Sequence, residues 1–507
     1  LSYTVGNIKK YKVSRTHLFL FLLSLTFLSL DSHAQKSIDS YPRVYSAYQD
    51  ILKLKIESGR KKLKQIIPSH EELGHYHYTK SLADALEILI TEDPDLYNRY
   101  DDSEEDHLDG LKALDGDDPY KRFYSAEIKV HWALVKTMFQ EEMRAGWALR
   151  SAYLEINDNI EQFPDFVHNN KTLGTLHVLF AVVPESYHWI LRYFGLRANV
   201  IEGWEELSNI TFQNPYWLET SLSKCLIAIN IINKEKVTMD LIDEIRRHNK
   251  DNLAVSYLYN VALVKYAKSE EALPALTKLT FVGDSYYPIT NIYYKLGEIY
   301  LQKQQYALAR LNYARFLNMH KGENYIKDTW FKIFLTYWLE GQKKNAELHW
   351  DKAKKAGRSL VAADKNATDY LSNDRYPNPE LYKARLAIDG GYFSMAQRTL
   401  DRIKQESIKN KKDEVEYFYR YGRLYDKQGD SEGALFNYLN VIKKSGNENW
   451  YFAPSACLQT GYIYEARADY EKAKYYFKKA QSYNKHKYKD GIDYQAKAAL
   501  LLIQDKK

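Results

Sequence analysis

His70, Glu71 and His75 come nearest, by type and spacing, to a catalytic arrangement in this chain. Two histidines four apart on a helix, with a glutamate beside the first, bind zinc and activate water. Here the second histidine falls one place later, which turns it off the shared face by about 100°. Gly74 weakens the helix that would carry both. A metal-dependent hydrolase built on His70, Glu71 and His75 is therefore the least favoured function, and ordinary loop or surface histidines are expected. The carboxylates of Asp101, Asp102, Glu104, Glu105 and Asp106 have the chemistry of calcium ligands but not the alternate spacing and central glycine of a calcium loop. A phosphate-cradling glycine loop, a nucleophile elbow and a paired-cysteine site are all missing from the sequence. Cys225 and Cys457, far apart in the chain, read as packed thiols. The expectation is a non-enzymatic protein with no cofactor and no metal.

The elements that would position any site are helical. With 22 Gly and 12 Pro in 507 residues, the chain lacks the turn residues of an all-β fold. Its 45 Tyr outnumber 9 Trp and 19 Phe, which suits helix contacts filled by rings that end in a polar handle. A repeated pattern runs through the C-terminal half. One unit holds Tyr293, Leu296, Gly297, Tyr300, Ala309 and Tyr313, and a second holds Trp330, Ile333, Tyr337, Ala346, Trp350 and Ala353. A weaker third keeps Ala384, Ala396 and Leu400. The fourth and fifth are Phe418, Gly422, Tyr425, Ala434, Tyr438 and then Gly461, Tyr464, Ala473, Phe477, Ala480. Small residues belong where two antiparallel helices cross closely, and rings fill the wider gaps beside them. Each pair leaves an apolar face uncovered, so the pairs must stack.

These offsets resemble the tetratricopeptide repeat. The resemblance implies an all-α fold, a tetratricopeptide-repeat-like α-solenoid made as a superhelix of antiparallel helix pairs, over residues 281–507. It also implies that the first helix of each pair lines a concave groove, which carries Tyr294, Glu298, Phe331, Tyr419, Arg423, Lys427, Tyr462 and Glu465 toward a binding surface. The 356–379 stretch, with Asp364, Asp369, Asp374 and two prolines, reads as an extended loop, and Gly491 to Gln504 as a capping helix.

Residues 35–280 read as an N-terminal helical domain with divergent repeats. Tyr45 to Leu63, Tyr78 to Ile90 and Ala126 to Met143 carry apolar residues at helical intervals. Ala126, Trp132 and Ala133 with Ala145, Trp147, Leu149 and Ala152 read as a close-crossing pair. Glu92 to Pro119 holds twelve acidic residues and reads as a surface loop or an acidic patch. From Lys171 the order is Gly174, an apolar run, Val183-Pro184, an aromatic helix, Phe194-Gly195 and then Gly203. Over about residues 120–210, and then through the repeats, this resembles the eukaryotic inclusion-body clearance group of repeat proteins and its bacterial relatives.

Residues 1–34 have the layout of a secretory signal: Lys9, Lys10, Lys12 and Arg15, an apolar run from Leu18 to Leu30, then Ala34 as the last residue removed. The run is short for a membrane span of roughly 20 residues. The expected location is periplasmic or secreted, with no stable membrane insertion after signal removal. Loss of four basic charges and one acidic charge lowers the formal net charge from +6 to +3, a balance that disfavours general nucleic-acid binding. The favoured function is an exported scaffold that binds a protein partner through its groove. A glycan-binding envelope protein is the alternative, weakened by the absence of a cysteine after the apolar run.

Overall fold

The computed structural model describes residues 36–183, 188–373 and 376–506. The signal segment read over residues 1–34 lies outside them, as does the turn at Pro184. Among the described residues every regular element is a helix, and no helix is long and apolar enough to cross a membrane.

The five expected units are antiparallel helix pairs: Asn291–Gln302 with Tyr306–Met319, Ile326–Leu339 with Lys343–Lys355, Pro379–Gly390 with Phe393–Asp401, Lys411–Gln428 with Ser431–Ser445, and Phe452–Ala466 with Tyr470–Gln481. Together they form an α-solenoid, closed at its end by Lys489–Leu502. The small-residue logic holds atom by atom. A β-carbon added to Gly297, Gly422 or Gly461 would lie 2.5 to 2.6 Å from the ring of Tyr313, Tyr438 or Phe477 on the partner helix. The alanines Ala309, Ala346, Ala396, Ala434 and Ala473 are fully buried at the same crossings.

A further pair escaped the sequence pattern. Leu253–Lys265 packs on Ser269–Leu279, with Ala272 fully buried in the place that Ala309 takes in the next unit. Asn260 stands in the place that Gly297 takes in the next unit, and its side chain is buried with Nδ2 donating to the Ser256 carbonyl at 2.8 Å. This pair bridges residue 280, since Leu263, Val264, Ala272 and Leu276 share one cluster with Ile292, Leu296 and Ile299. The solenoid winds tightly. Gly391, at φ +84°, brings its backbone so close to Ala267 that a β-carbon would fall 1.9 Å from the Ala267 carbonyl oxygen. Only glycine tolerates both that conformation and that approach.

Two expected loops are helices instead. The acidic stretch folds as Pro94–Arg99 and Ser103–Gly110, because Asp93 caps the first through Asp95 N–H at 3.0 Å and Lys136 and Arg60 neutralise nearby carboxylates. The 356–379 stretch contains Ala362–Ser372, fixed by Asp364, whose carboxylate accepts from the backbone N–H of Tyr325 at 2.8 Å and of Asp328 at 2.9 Å. The helix expected from Tyr45 breaks at Leu54, where φ is +63°, into Pro42–Leu52 and Ile56–Lys64. Trp147 is 54% exposed rather than packed at a crossing, whereas Trp132 is buried with its indole donating to Ser81 at 3.0 Å. Cys225 and Cys457 are buried free thiols.

Candidate binding groove and buried polar cluster

Two neighbouring cavities run along the first helices of the pairs. The first, of about 230 Å³, is walled by Tyr294, Glu298, Phe331, Lys332, Tyr370, Tyr382, Arg385 and Asp389 among others. The second, of about 520 Å³, is walled by Asp369, Tyr370, Lys412, Glu416, Tyr451, Lys487 and Tyr488 among others. Tyr370 belongs to both walls, so the cavities adjoin through the Ala362–Ser372 helix. No second helix of any of the five pairs contributes to either wall.

Polar groups in the first cavity are largely paired. Lys332 Nζ meets Asp328 at 2.8 Å, Glu298 at 2.5 Å and the Tyr294 hydroxyl at 2.6 Å, and Lys295 meets Glu298 at 2.7 Å. Burial alone would raise the Glu298 carboxyl, but Lys295 and Lys332 outweigh it and hold the group down at about 2. Tyr294 also donates to Asp328 at 2.6 Å. Burial pushes its phenol well above the usual range, so the ring stays neutral and a donor. The aromatic wall is pre-packed, with Phe331 stacked on Tyr370 at 5.2 Å.

The eight groove residues expected from the repeat register have separate fates. Tyr294, Glu298 and Phe331 line the first cavity. Arg423 reaches it indirectly, through Asp389 at 2.6 Å. Tyr419 packs between Tyr438 and Phe452 with rings 6.2 and 5.3 Å away. Lys427 is exposed, and Tyr462 and Glu465 are half-buried away from both cavities, the Tyr462 ring lying 5.2 Å from Phe477. Sequence reasoning missed Tyr370, Arg385 and Asp389. The first sits in the stretch taken for a loop, and the other two sit in the weakest unit. Lys487, read as one of a solvated basic run, folds back instead, with Nζ 3.1 Å from Asp369 and over the Tyr370 ring at 5.3 Å.

The N-terminal half hides a second polar group. Glu127, Lys171 and Glu219 are almost fully buried, and His131 stands beside them. Lys171 pairs with Glu127 and lies 3.0 Å from Glu219. Glu219 also accepts from Tyr48 at 2.7 Å and Tyr78 at 2.5 Å and lies 3.2 Å from His131 Nε2. Burial would raise the Glu219 carboxyl, yet the Lys171 ammonium and His131 overcome it and hold it far below the usual range. Donor atoms of Glu127, His131 and Glu219 lie within 4.8 Å of one another, a spacing open to a metal ion. The ammonium of Lys171 already serves as their cation, so this donor set is matched by the chain itself.

Neither catalytic look-alike holds catalytic geometry. His70 Nε2 bonds the Ala113 carbonyl at 2.9 Å, while His75 bonds Tyr124 and the Lys36 carbonyl, so the two rings do not converge. Burial pushes His75 down to about 4. Ser103, His107 and Asp84 touch one another, but the same His107 Nε2 faces both the serine hydroxyl and the carboxylate, each at 3.2 Å. A proton relay needs the two ring nitrogens on opposite partners.

With these pairs in view, residues 454–487, which span Phe452–Ala466 and Tyr470–Gln481 almost entirely, match the tetratricopeptide-repeat family model. The chain carries a tetratricopeptide repeat. No curated protein matches the sequence. Among solved structures the chain is similar to the APC/C hetero-tetramer Cut9-Hcn1, at 14% identity and TM-score 0.29, covering 95% of this chain and 92% of that one. A Rap protein complexed with competence and sporulation factor gives 12% identity and TM-score 0.31, covering 81% and 98%. An IFIT1 monomeric mutant with Gppp-AAAA gives 13% and 0.32, covering 86% and 99%. At those scores the superpositions say nothing of what this chain binds.

Proposed function

We propose that this chain is a non-enzymatic scaffold that holds an extended segment of a partner protein in the groove formed by its two adjoining cavities. The observation that carries the reading is the lining itself: every pair contributes only its first helix, and the walls combine rings with charged groups already held in place. Preorganised side chains lose little freedom on binding, which favours affinity. We read the protein as exported through its N-terminal segment and as working in the periplasm or outside the cell, without nucleic acid and without stable membrane insertion. The close backbone crossing of Gly174 with Gly203 supports kinship of the central segment with the inclusion-body clearance group.

The competing glycan reading needs rings with free faces to stack on sugars. The stacking of Tyr370 on Phe331 and the packing of Tyr419 weigh against it. The test is site-specific photo-cross-linking in cells from Asn366 and Lys412 on the groove walls, against Leu348, 52% exposed on an outer helix. Discrete protein adducts from the two groove positions and none from Leu348 are expected. Adducts from Leu348 alone, or none from any position, would defeat the scaffold reading.

A further inference from the structure

The connection between Tyr470–Gln481 and Lys489–Leu502 reaches across the groove. Its two ends are fixed. Phe477 and Ala480 share one core cluster with Ile492, Ala496 and Ala499, and Gln481 Nε2 donates to the Asp493 carbonyl at 3.3 Å. Tyr483 packs against the same cluster, so residues 484–488 span the gap alone. Lys487 reaches back 121 positions, its Nζ donating to the Asn366 carbonyl at 3.4 Å. The same Nζ lies 3.1 Å from Asp369 and stands over the Tyr370 ring at 5.3 Å. Asn366 belongs to the wall of the first cavity, Asp369 to that of the second and Tyr370 to both. Lys487 therefore sits where the two cavities meet. Beside it Tyr488 lines the second cavity and meets the Tyr451 ring edge-on at 5.2 Å.

The hold is weak. Asp369 is 55% exposed, and an ion pair open to water contributes little. Burial lowers the Lys487 ammonium against the pull of Asp369, and the neighbouring cations Arg385 and Lys412 repel it further. Tyr488 stands at φ +68°, a left-handed conformation that costs a residue with a β-carbon free energy. Among the described residues no amide N–H from Tyr483 to Tyr488 donates to a backbone carbonyl, so side-chain contacts alone keep this connection down.

We propose that residues 484–488 form an autoinhibitory strap over the groove, latched by Lys487 on Asp369, and that a partner segment occupies both cavities only once the latch is released. The inference rests on the scaffold reading and adds the regulation of that groove. An extended segment running through both cavities has to cross the Ala362–Ser372 helix beside Tyr370, and Lys487 covers that crossing. Release returns the Asp369 carboxylate and the Tyr370 ring to the groove and lets Tyr488 leave its left-handed conformation. The flanking helices keep their own packing throughout. The closed strap lowers the apparent affinity for the partner by the fraction of chains that are open.

The test uses the full chain. A water-soluble carbodiimide joins a lysine amine to a touching carboxylate as an amide and leaves as its urea. It should link Lys487 to Asp369 in the parent, read by mass spectrometry, and give no such link in Lys487→Gln. Photo-cross-linking in cells from position 366, which spares the carbonyl that Lys487 uses, reads access to the groove. Protein adducts should rise about two- to fivefold in Lys487→Gln and in Asp369→Asn, the range that a half-exposed ion pair supplies. Lys487→Arg, which keeps the cation, should stay at the parent's yield. Amide exchange over residues 484–488 should quicken in the first two variants while Phe452–Ala466 stays unchanged. Equal or lower yields in those variants, or no link between Lys487 and Asp369 in the parent, would overturn the strap and leave the scaffold reading intact. Adducts from none of the chains would overturn both.

Discussion

Gly174 and Gly203 are in backbone contact, such that a β-carbon on Gly203 would lie 2.6 Å from the carbonyl oxygen of Gly174. The helices Asn169–Ala181 and Val200–Ser208 cross at that point with no room for any side chain. Gly203→Ala should therefore force the helices apart and cost about 1 to 3 kcal/mol. Gly461→Leu, against the Phe477 ring at 2.5 Å, should cost a similar amount. Thermal denaturation of the purified chain reads both, and an unchanged melting temperature would mean that the crossings are not as close as described.

Removing the Lys171 ammonium should leave Glu127 and Glu219 as buried carboxylates without their cation. Lys171→Met is expected to lose about 3 to 5 kcal/mol in urea unfolding. Because the Glu127, His131 and Glu219 donor atoms lie within 4.8 Å, added Zn²⁺ should return part of that loss in the variant and do nothing for the parent chain. A variant as stable as the parent would remove Lys171 from the account of the cluster.

Glu92 joins the two halves of the chain by accepting from Asn324 Nδ2 at 2.6 Å, with His320 Nε2 at 3.7 Å. Burial raises its carboxyl from 4.5 to about 7. The native state thus binds a proton that the unfolded state has released, so this contribution is full below about pH 4.5 and is lost as pH rises through about 7. The Glu92 contribution should fall from pH 5 to pH 8, and Glu92→Gln should remove it, so the stability of the variant relative to the parent should rise across that range. At pH 8 the variant should be the more stable chain by about 1 to 3 kcal/mol. Asp364, raised to about 6 by burial, adds a slope of the same sign to both chains, so their difference isolates Glu92. Parallel pH profiles would refute the assignment.

Asp364 bonds the backbone of Tyr325, a residue at φ +64°, and of Asp328 at the start of the Ile326–Leu339 helix. Asp364→Ala should cost about 1 to 2 kcal/mol as a lost cap. Hydrogen exchange should quicken at the amides of Tyr325 and Asp328, while amides in Phe452–Ala466 stay unchanged. Equal protection at Tyr325 and Asp328 in the two proteins would show that the cap is idle.

The helix pairs were legible in the sequence wherever a small residue meets a ring at fixed offset, as at Gly297 with Tyr313 or Gly461 with Phe477. That contact lies within one pair and recurs, so local spacing encodes it. The pair at Leu253–Leu279 escaped because Asn260 takes the place of the glycine, its Nδ2 donating within its own helix to the Ser256 carbonyl. The groove was legible only in part. Spacing placed Tyr294, Glu298 and Phe331 on its wall, but the Ala362–Ser372 helix depends on Asp364 finding two backbone donors almost 40 residues upstream. The pairing state of Arg385 is likewise a tertiary property. It shares Asp389 with Arg423, which comes from another repeat, while Arg420 pairs with Glu416. Sequence spacing fixes which residues share a helix face, whereas electrostatic balance in a cavity depends on which faces the superhelix brings within a few ångströms.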